Sequence, residues 1–181
     1  MARVVRDATL RAQQLVDGLL LLARTEGTGL RTREAVDLAP LARAAVHGVA
    51  TESRARGLRV DLRAGPALAM GDAALLERVV GNLVENAVRH NVDGGWIEVC
   101  TGAAPGGGLL RVSSSGEAVA PDAVAELFEP FRRGGVARTA REGAGLGLSI
   151  VRAVVGAHGG VVHADPVPGG GLGVTVQLPA G

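Results

Sequence analysis

Hydrophobic residues recur at intervals of three and four in four stretches of the chain and alternate with polar residues in most of the others. In residues 3–24, Val5, Ala8, Ala12, Leu15, Val16, Leu19, Leu22 and Ala23 share one stripe, which predicts a long helix. A lone apolar stripe needs cover, so the helix is expected to self-associate through residues 5–23 or to pack on another helix. Residues 1–26 thus form a unit of their own. Residues 27–35, with two Gly and two Thr, read as a linker. Further helices are predicted over 40–56, from an Asp72 N-cap through Asn91, and over 146–158, closed by Gly159 and Gly160. Strands are predicted at 36–38, 58–63, 67–70, 96–101, 109–113, 161–164 and 172–178. The last alternates as Leu172, Val174, Val176 and Leu178, and Pro105-Gly106-Gly107-Gly108 reads as a hairpin turn.

Three helices against five to seven strands, many joined as hairpins, predict an α/β fold over residues 36–181. It is a two-layer α+β sandwich with the helices on one face of a mixed sheet, preceded by the long helix. Residues 117–143 are too long for a simple connection and read as a lid or a disordered segment, with a short helical piece near 122–127.

Composition narrows the chemistry. Hydrophobic residues make up 47% and aromatics 2%, so the core must be built of Val, Leu and Ala. The net charge of +1 supplies no general attraction to nucleic acid or to an anionic membrane. All 19 basic residues are Arg, which excludes a P-loop lysine, a protein-kinase ATP-pairing lysine and Schiff-base catalysis. The lone Cys100 falls in a strand, where a thiol is expected to act as a small buried hydrophobe, and no disulfide can form within the chain. That fits a reducing, cytoplasmic compartment. No apolar run approaches the ~18 residues of a membrane span, so no membrane contact is expected from this segment.

Three features carry candidate chemistry. On the helix through residues 77–91, Arg78, Asn82, Glu85, Asn86 and Arg89 fall within about a third of the circumference, opposite Val80, Leu83, Val84, Ala87 and Val88. Two Asn one turn apart are unusual on such a face, because Asn competes with helical hydrogen bonds. Gly143-Ala144-Gly145-Leu146-Gly147-Leu148-Ser149-Ile150 runs into a helix, where bare backbone and free N–H groups suit phosphate oxygens, although the spacing is neither a dinucleotide fingerprint nor a P-loop. Leu110, Val112 and Ser114 share a strand face, so Ser114 faces inward if Val112 does, with Gly116 allowing close approach.

Asn82-Leu83-Val84-Glu85-Asn86-Ala87-Val88-Arg89-His90 resembles the asparagine box of sensor histidine kinases, and Leu127-Phe128-Glu129-Pro130-Phe131-Arg132-Arg133-Gly134 resembles their phenylalanine box. The run from Gly143 to Val151 is similar to their second glycine box, and Gly169-Gly170-Gly171 before Val174-Thr175-Val176 to the last one. The match covers residues 36–179 in the family's order, and residues 3–24 resemble the second helix of its dimerisation and phosphotransfer hairpin. The resemblance implies the ATP-binding sandwich shared with gyrase and heat-shock chaperone ATPases, with ATP and Mg²⁺ as cofactors. It implies Mg²⁺ at Asn86 with Asn82 beside it, Arg89 and His90 near the phosphates, and Arg132 or Arg133 on the γ-phosphate. It further implies a cradle from Gly143, Gly145, Leu146, Gly147 and Leu148, lid contacts from Phe131, and base contacts from Ser114, Gly116 and Thr175. The partners it implies are a phosphoacceptor histidine domain, or the rest of a sensor kinase, and a response regulator.

Three departures shape the expected activity. Ser114 stands where the family offers Asp or Asn to adenine, losing a charge-assisted hydrogen bond worth roughly tenfold in affinity. None of His47, His90, His158 and His163 sits in a phosphoacceptor motif, so structural roles are expected for all but His90, and self-phosphorylation on the usual histidine is excluded in this chain. Asn82 occupies the position at which the hydrolysing relatives carry a water-activating Glu, and Glu85 lies about 100° round the helix from Asn86, so transfer to an external histidine is expected over hydrolysis. The alternative is a regulatory module that binds no ATP and acts through its N-terminal helix.

Overall fold

The computed structural model describes residues 33–130 and 146–181. The helix at 3–24, its pairing through 5–23, Phe131, Arg132, Arg133, Gly143, Gly145 and the second half of the expected lid lie outside the described residues.

The chain enters through β1 (Glu34–Asp37), α1 (Leu38–Gly48) and the short α2 (Ala50–Ala55), then β2 (Arg59–Ala64) and β3 (Leu68–Gly71). There follow α3 (Ala73–Arg89), β4 (Trp96–Ala104), β5 (Gly107–Ser114), two 3₁₀ turns (Pro121–Ala123 and Ala125–Phe128), α4 (Gly147–Ala157), β6 (Val161–Pro166) and β7 (Leu172–Pro179). Five strands form one mixed sheet in the order β2-β4-β5-β7-β6, with β2 parallel to β4 and the other neighbours antiparallel. The helices cover one face of it, as the period-two pattern requires. Ile97, Val99, Leu110, Val112, Val174 and Val176 point inward and are at most 5% exposed. They meet Leu76, Val79, Val80, Val84 and Val88 of α3, each 1% exposed or less. Burial of each such side chain contributes about 1.5–3 kcal/mol, so α3 is held by its apolar face rather than by propensity.

Three expectations shift. The helix expected over 40–56 breaks at Val49, whose N–H still reaches Ala45 O at 3.3 Å, because Gly48 weakens the helix just there. The strand expected to start at 36 begins at Glu34, inside the stretch read as linker, and pairs with β3 as a separate two-stranded sheet. Asp37 joins these pieces: its Oδ1 accepts from Ala67 N at 2.9 Å and from Ala39 N at 3.1 Å, and the two bonds hold its carboxyl below the usual range. Cys100 is not a core residue. It alternates with inward Val99 and Thr101, so it lies half-buried on the outer face with Sγ 3.7 Å from Glu98 Oε1.

Candidate functional site

Helices α3 and α4 lie side by side in opposite directions, and the contacts at their two ends define what lies between. At the start of α3, the Asp72 side chain accepts from Ala74 N and Leu75 N at 3.0 and 3.2 Å, which caps the helix. The Asp72 N–H in turn donates to Nε2 of His158 at 3.1 Å, and Nδ1 of that imidazole lies 2.7 Å from Val154 O. His158 is fully buried, and because its Nε2 accepts from the Asp72 N–H, the ring proton sits on Nδ1 and donates to Val154 O. Burial pushes its imidazole below the usual range, against the opposing pull of the Val154 carbonyl and the Asp72 carboxylate. The structural role expected of His158 is thus observed, while His47 and His163 stand exposed.

At the end of α3, buried Asn91 uses both ends of its amide. Nδ2 donates to Ala87 O and Trp96 O at 3.1 and 3.0 Å, and Oδ1 accepts from Val92 N at 2.9 Å and Ser115 Oγ at 2.7 Å. Arg56 donates to the carbonyls of Val88 and Asn91 and pairs with Asp93 at 2.8 Å. These bonds hold the β5 exit, residues 114–116, against the end of α3. Asn91, Ser115 and Arg56 position the site although no motif pointed to them. Asn91 alone left a sequence signal, a third Asn just past the helix.

Between these ends two polar groups lack partners. Among the described residues, the buried side-chain nitrogens without a hydrogen bond are Arg78 Nε and Asn82 Nδ2, one turn apart on the polar face of α3; Ser53 Oγ is the corresponding oxygen. Arg78 was readable as part of that face but not as a site residue. One turn beyond Asn82, Asn86 lies against Gly147, where α4 begins: a Cβ at Gly147 would stand 2.9 Å from Asn86 Nδ2. Gly147 is therefore bare at the point where the Asn side chain meets the free N–H groups of a helix N-terminus. Donors so arranged suit an anion, and the Asn86 amide oxygen suits a hard cation that travels with it. No cluster of three His, Cys, Asp or Glu capable of holding a metal occurs among the described residues.

Ser114 faces inward at the end of β5, as its period predicts, and is 6% exposed. Its neighbours across the sheet are Ile97 and Leu172. Gly171 passes so close that a Cβ there would lie 2.0 Å from Ser114 O, and its φ of +117° suits glycine alone. A Cβ at Gly116 would lie 2.7 Å from His90 O, so residues 114–116 abut the end of α3, where Arg89 is the last helical residue and His90 the cap. Crowding by protein and the Arg89 charge push the His90 imidazole down, with Glu117 opposing.

Of the expected residues, the structure thus brings Asn86 against Gly147 and His90 against Gly116, with Asn82 and Arg89 one turn or less from Asn86 on α3 and Ser114 two residues before Gly116 on β5. Three other expected residues behave differently. Leu146 is 4% exposed and belongs to the core, which leaves its backbone to meet a ligand, and Leu148 is half-buried against that core. Thr175 sits in register with Arg111 and His163 on the outer face, away from Ser114, because inward positions on β7 fall to Val174 and Val176.

The chain matches the histidine kinase-, DNA gyrase B-, and HSP90-like ATPase family over residues 71–181. It is 46% identical over 171 residues to the sensor protein CutS of Streptomyces coelicolor, a match that covers 93% of this chain and 41% of CutS. Its fold is similar to that of the mycobacterial sensor histidine kinase MprB, with TM-score 0.70 and 29% identity over 81% of this chain and 97% of that one. It is also similar to full-length ShkA in complex with AMPPNP, with TM-score 0.81 and 26% identity over 98% of this chain and 37% of that one. By sequence and by fold, the chain belongs to the histidine kinase-, DNA gyrase B-, and HSP90-like ATPase family, as a catalytic domain of the sensor histidine kinase kind.

Proposed function

We propose that this chain holds Mg²⁺-ATP between α3 and α4 and positions it for phosphoryl transfer to a histidine on an acceptor domain. The observation that carries the reading is the orphaned, buried Nδ2 of Asn82 one turn from the Asn86–Gly147 contact. A buried donor without a partner costs about 1–3 kcal/mol, and an anion that accepts from it removes that cost. The residues fit the nucleotide in kind: amide and guanidinium donors along α3, a bare helix start at Gly147, and an inward hydroxyl at Ser114 for the base. When bound, Mg²⁺-ATP supplies the transferable phosphoryl group and the cation that offsets its charge. The Asn86 oxygen holds the cation, the Asn82 amide steadies phosphate oxygens, and the start of α4 gives N–H groups. Arg132, Arg133 and Phe131 complete this reading on the strength of their motif.

Asn82 can donate and accept hydrogen bonds but cannot take a proton from water, and Glu85 is exposed on α3. Transfer to a histidine is therefore favoured over hydrolysis. The chain spans 41% of CutS, which supports a role as one part of a longer sensor, with an acceptor hairpin and a response regulator as partners, and the apolar stripe in the sequence of residues 5–23 supports pairing of two copies through that segment. A domain that uses ATP works where ATP is, which supports a cytoplasmic location. No helix of the described residues is long and apolar enough to cross a membrane. Incubation with γ-labelled ATP and an intact sensor-kinase acceptor domain tests the proposal: label on the acceptor histidine is expected, and nucleotide binding without transfer would reject the kinase activity.

A further inference from the structure

Phosphoryl transfer also depends on how the stretch ahead of residues 131–133 is held. The 3₁₀ turn Ala125–Phe128 lies against α4, and Phe128 at its end is 7% exposed. Glu129 follows in extended backbone, with φ −76° and ψ 138°, a conformation to which Pro130 restricts it. Its carboxylate oxygen Oε1 accepts from Nη1 and Nη2 of Arg152, each at 3.2 Å. Arg152 stands on α4 five residues after Gly147, the residue that meets Asn86, and next to fully buried Val151. One helix thus carries both the contact with Asn86 and the anchor of Glu129.

The pair has little to offer stability. Its side chains are 48% and 51% exposed, and exposed ion pairs contribute little in water. It stands, however, where a small restraint has leverage. Arg132 and Arg133 follow Glu129 by three and four residues, at most about 10–14 Å of chain. A guanidinium that must meet a developing charge loses effect when its anchor shifts by as little as about 1 Å. We infer that Arg152 is a positioning residue for phosphoryl transfer, acting through Glu129 to set the chain that carries Arg132 and Arg133 in register with the start of α4. The inference rests on the reading of Arg132 and Arg133 as γ-phosphate ligands and goes beyond it by giving roles to Arg152 and Glu129, which lie outside the expected site residues.

Label transfer from γ-labelled ATP to an intact sensor-kinase acceptor domain, catalysed by the full chain and its variants, tests it. Arg152→Gln and Glu129→Gln should each slow transfer at saturating MgATP by about two- to fivefold, the range an exposed ion pair can supply. The calorimetric dissociation constant for MgATP and the melting temperature should stay as in the wild type. The double variant should be no slower than either single one. Exchange of the pair, Arg152→Glu with Glu129→Arg, should recover most of the rate, which loss of an ordinary surface contact would not do. Wild-type rates in Arg152→Gln, losses that multiply in the double variant, an exchanged pair slower than the single variants, or a loss confined to MgATP affinity overturn the inference while leaving the kinase reading standing. Absence of label transfer by the wild type overturns both.

Discussion

The two ends of α3 and its middle put similar polar residues to opposite uses. At the Asp72 end, His158 and Asp72 satisfy each other and the helix start, and the imidazole is sealed from water. At the other end, Asn91 has all four of its hydrogen bonds within the protein. In the middle, Arg78 and Asn82 bury nitrogens that bond nothing. Residue type does not separate these regions; completeness of hydrogen bonding does. A closed network serves stability, and an open one on a rigid helix stays available for a ligand whose charge completes it.

The sharpest break in that comparison comes from emptying the closed end. His158→Ala removes a fully buried side chain together with its bond to the Asp72 N–H, and should cost about 2–4 kcal/mol in thermal or urea unfolding. Nucleotide affinity, measured where the variant is folded, should change little. Gly147→Ala should do the reverse. Its Cβ would press on Asn86 at 2.9 Å, so about tenfold weaker MgATP binding is expected with little change in melting temperature. Asn82→Leu separates the regions by sign: removal of an unpaired buried donor should leave stability equal or higher by about 1 kcal/mol while weakening nucleotide binding. An Asn82→Leu variant that unfolds more easily would mean that Asn82 belongs to the closed network.

The smallest effect is the pH dependence of the closed end. Burial holds the folded His158 imidazole below its usual value. The unfolded chain therefore takes up that proton first as pH falls. The stability linked to His158 is full above about pH 6.5 and declines below it, until the folded pKa is passed. Melting temperature should drop between pH 7.5 and 5.5, and His158→Gln should flatten part of that slope.

Much of this was legible in the sequence because period and phase are local properties. The inward face of α3 and the orientation of Ser114 followed from spacings of three, four and two. Thr175 shows the limit of motif matching: the alternation of Leu172, Val174 and Val176 already sends Thr175 to the outer face, whereas its place in the glycine motif drew it toward the base. Cys100 follows the same rule of phase, being out of step with Val99 and Thr101. Leu146 and Leu148 lie in the right segment, but their side chains serve the core. The His158 clasp and the Arg56 cap join residues 86 and 32 or more positions apart, and no local signal carries that information. The same holds for the orphaned nitrogens, since only tertiary packing decides which donors on a polar helix face find partners.

The central claim is that the middle of α3 is left open for a magnesium nucleotide. Its most direct test is calorimetric titration of MgATP into the wild-type chain and into Asn86→Ala under identical conditions. Saturable binding by the wild type, weakened about tenfold or more in Asn86→Ala at unchanged melting temperature, is the predicted result. Equal affinity in the two proteins, or no wild-type binding up to millimolar MgATP, would contradict it.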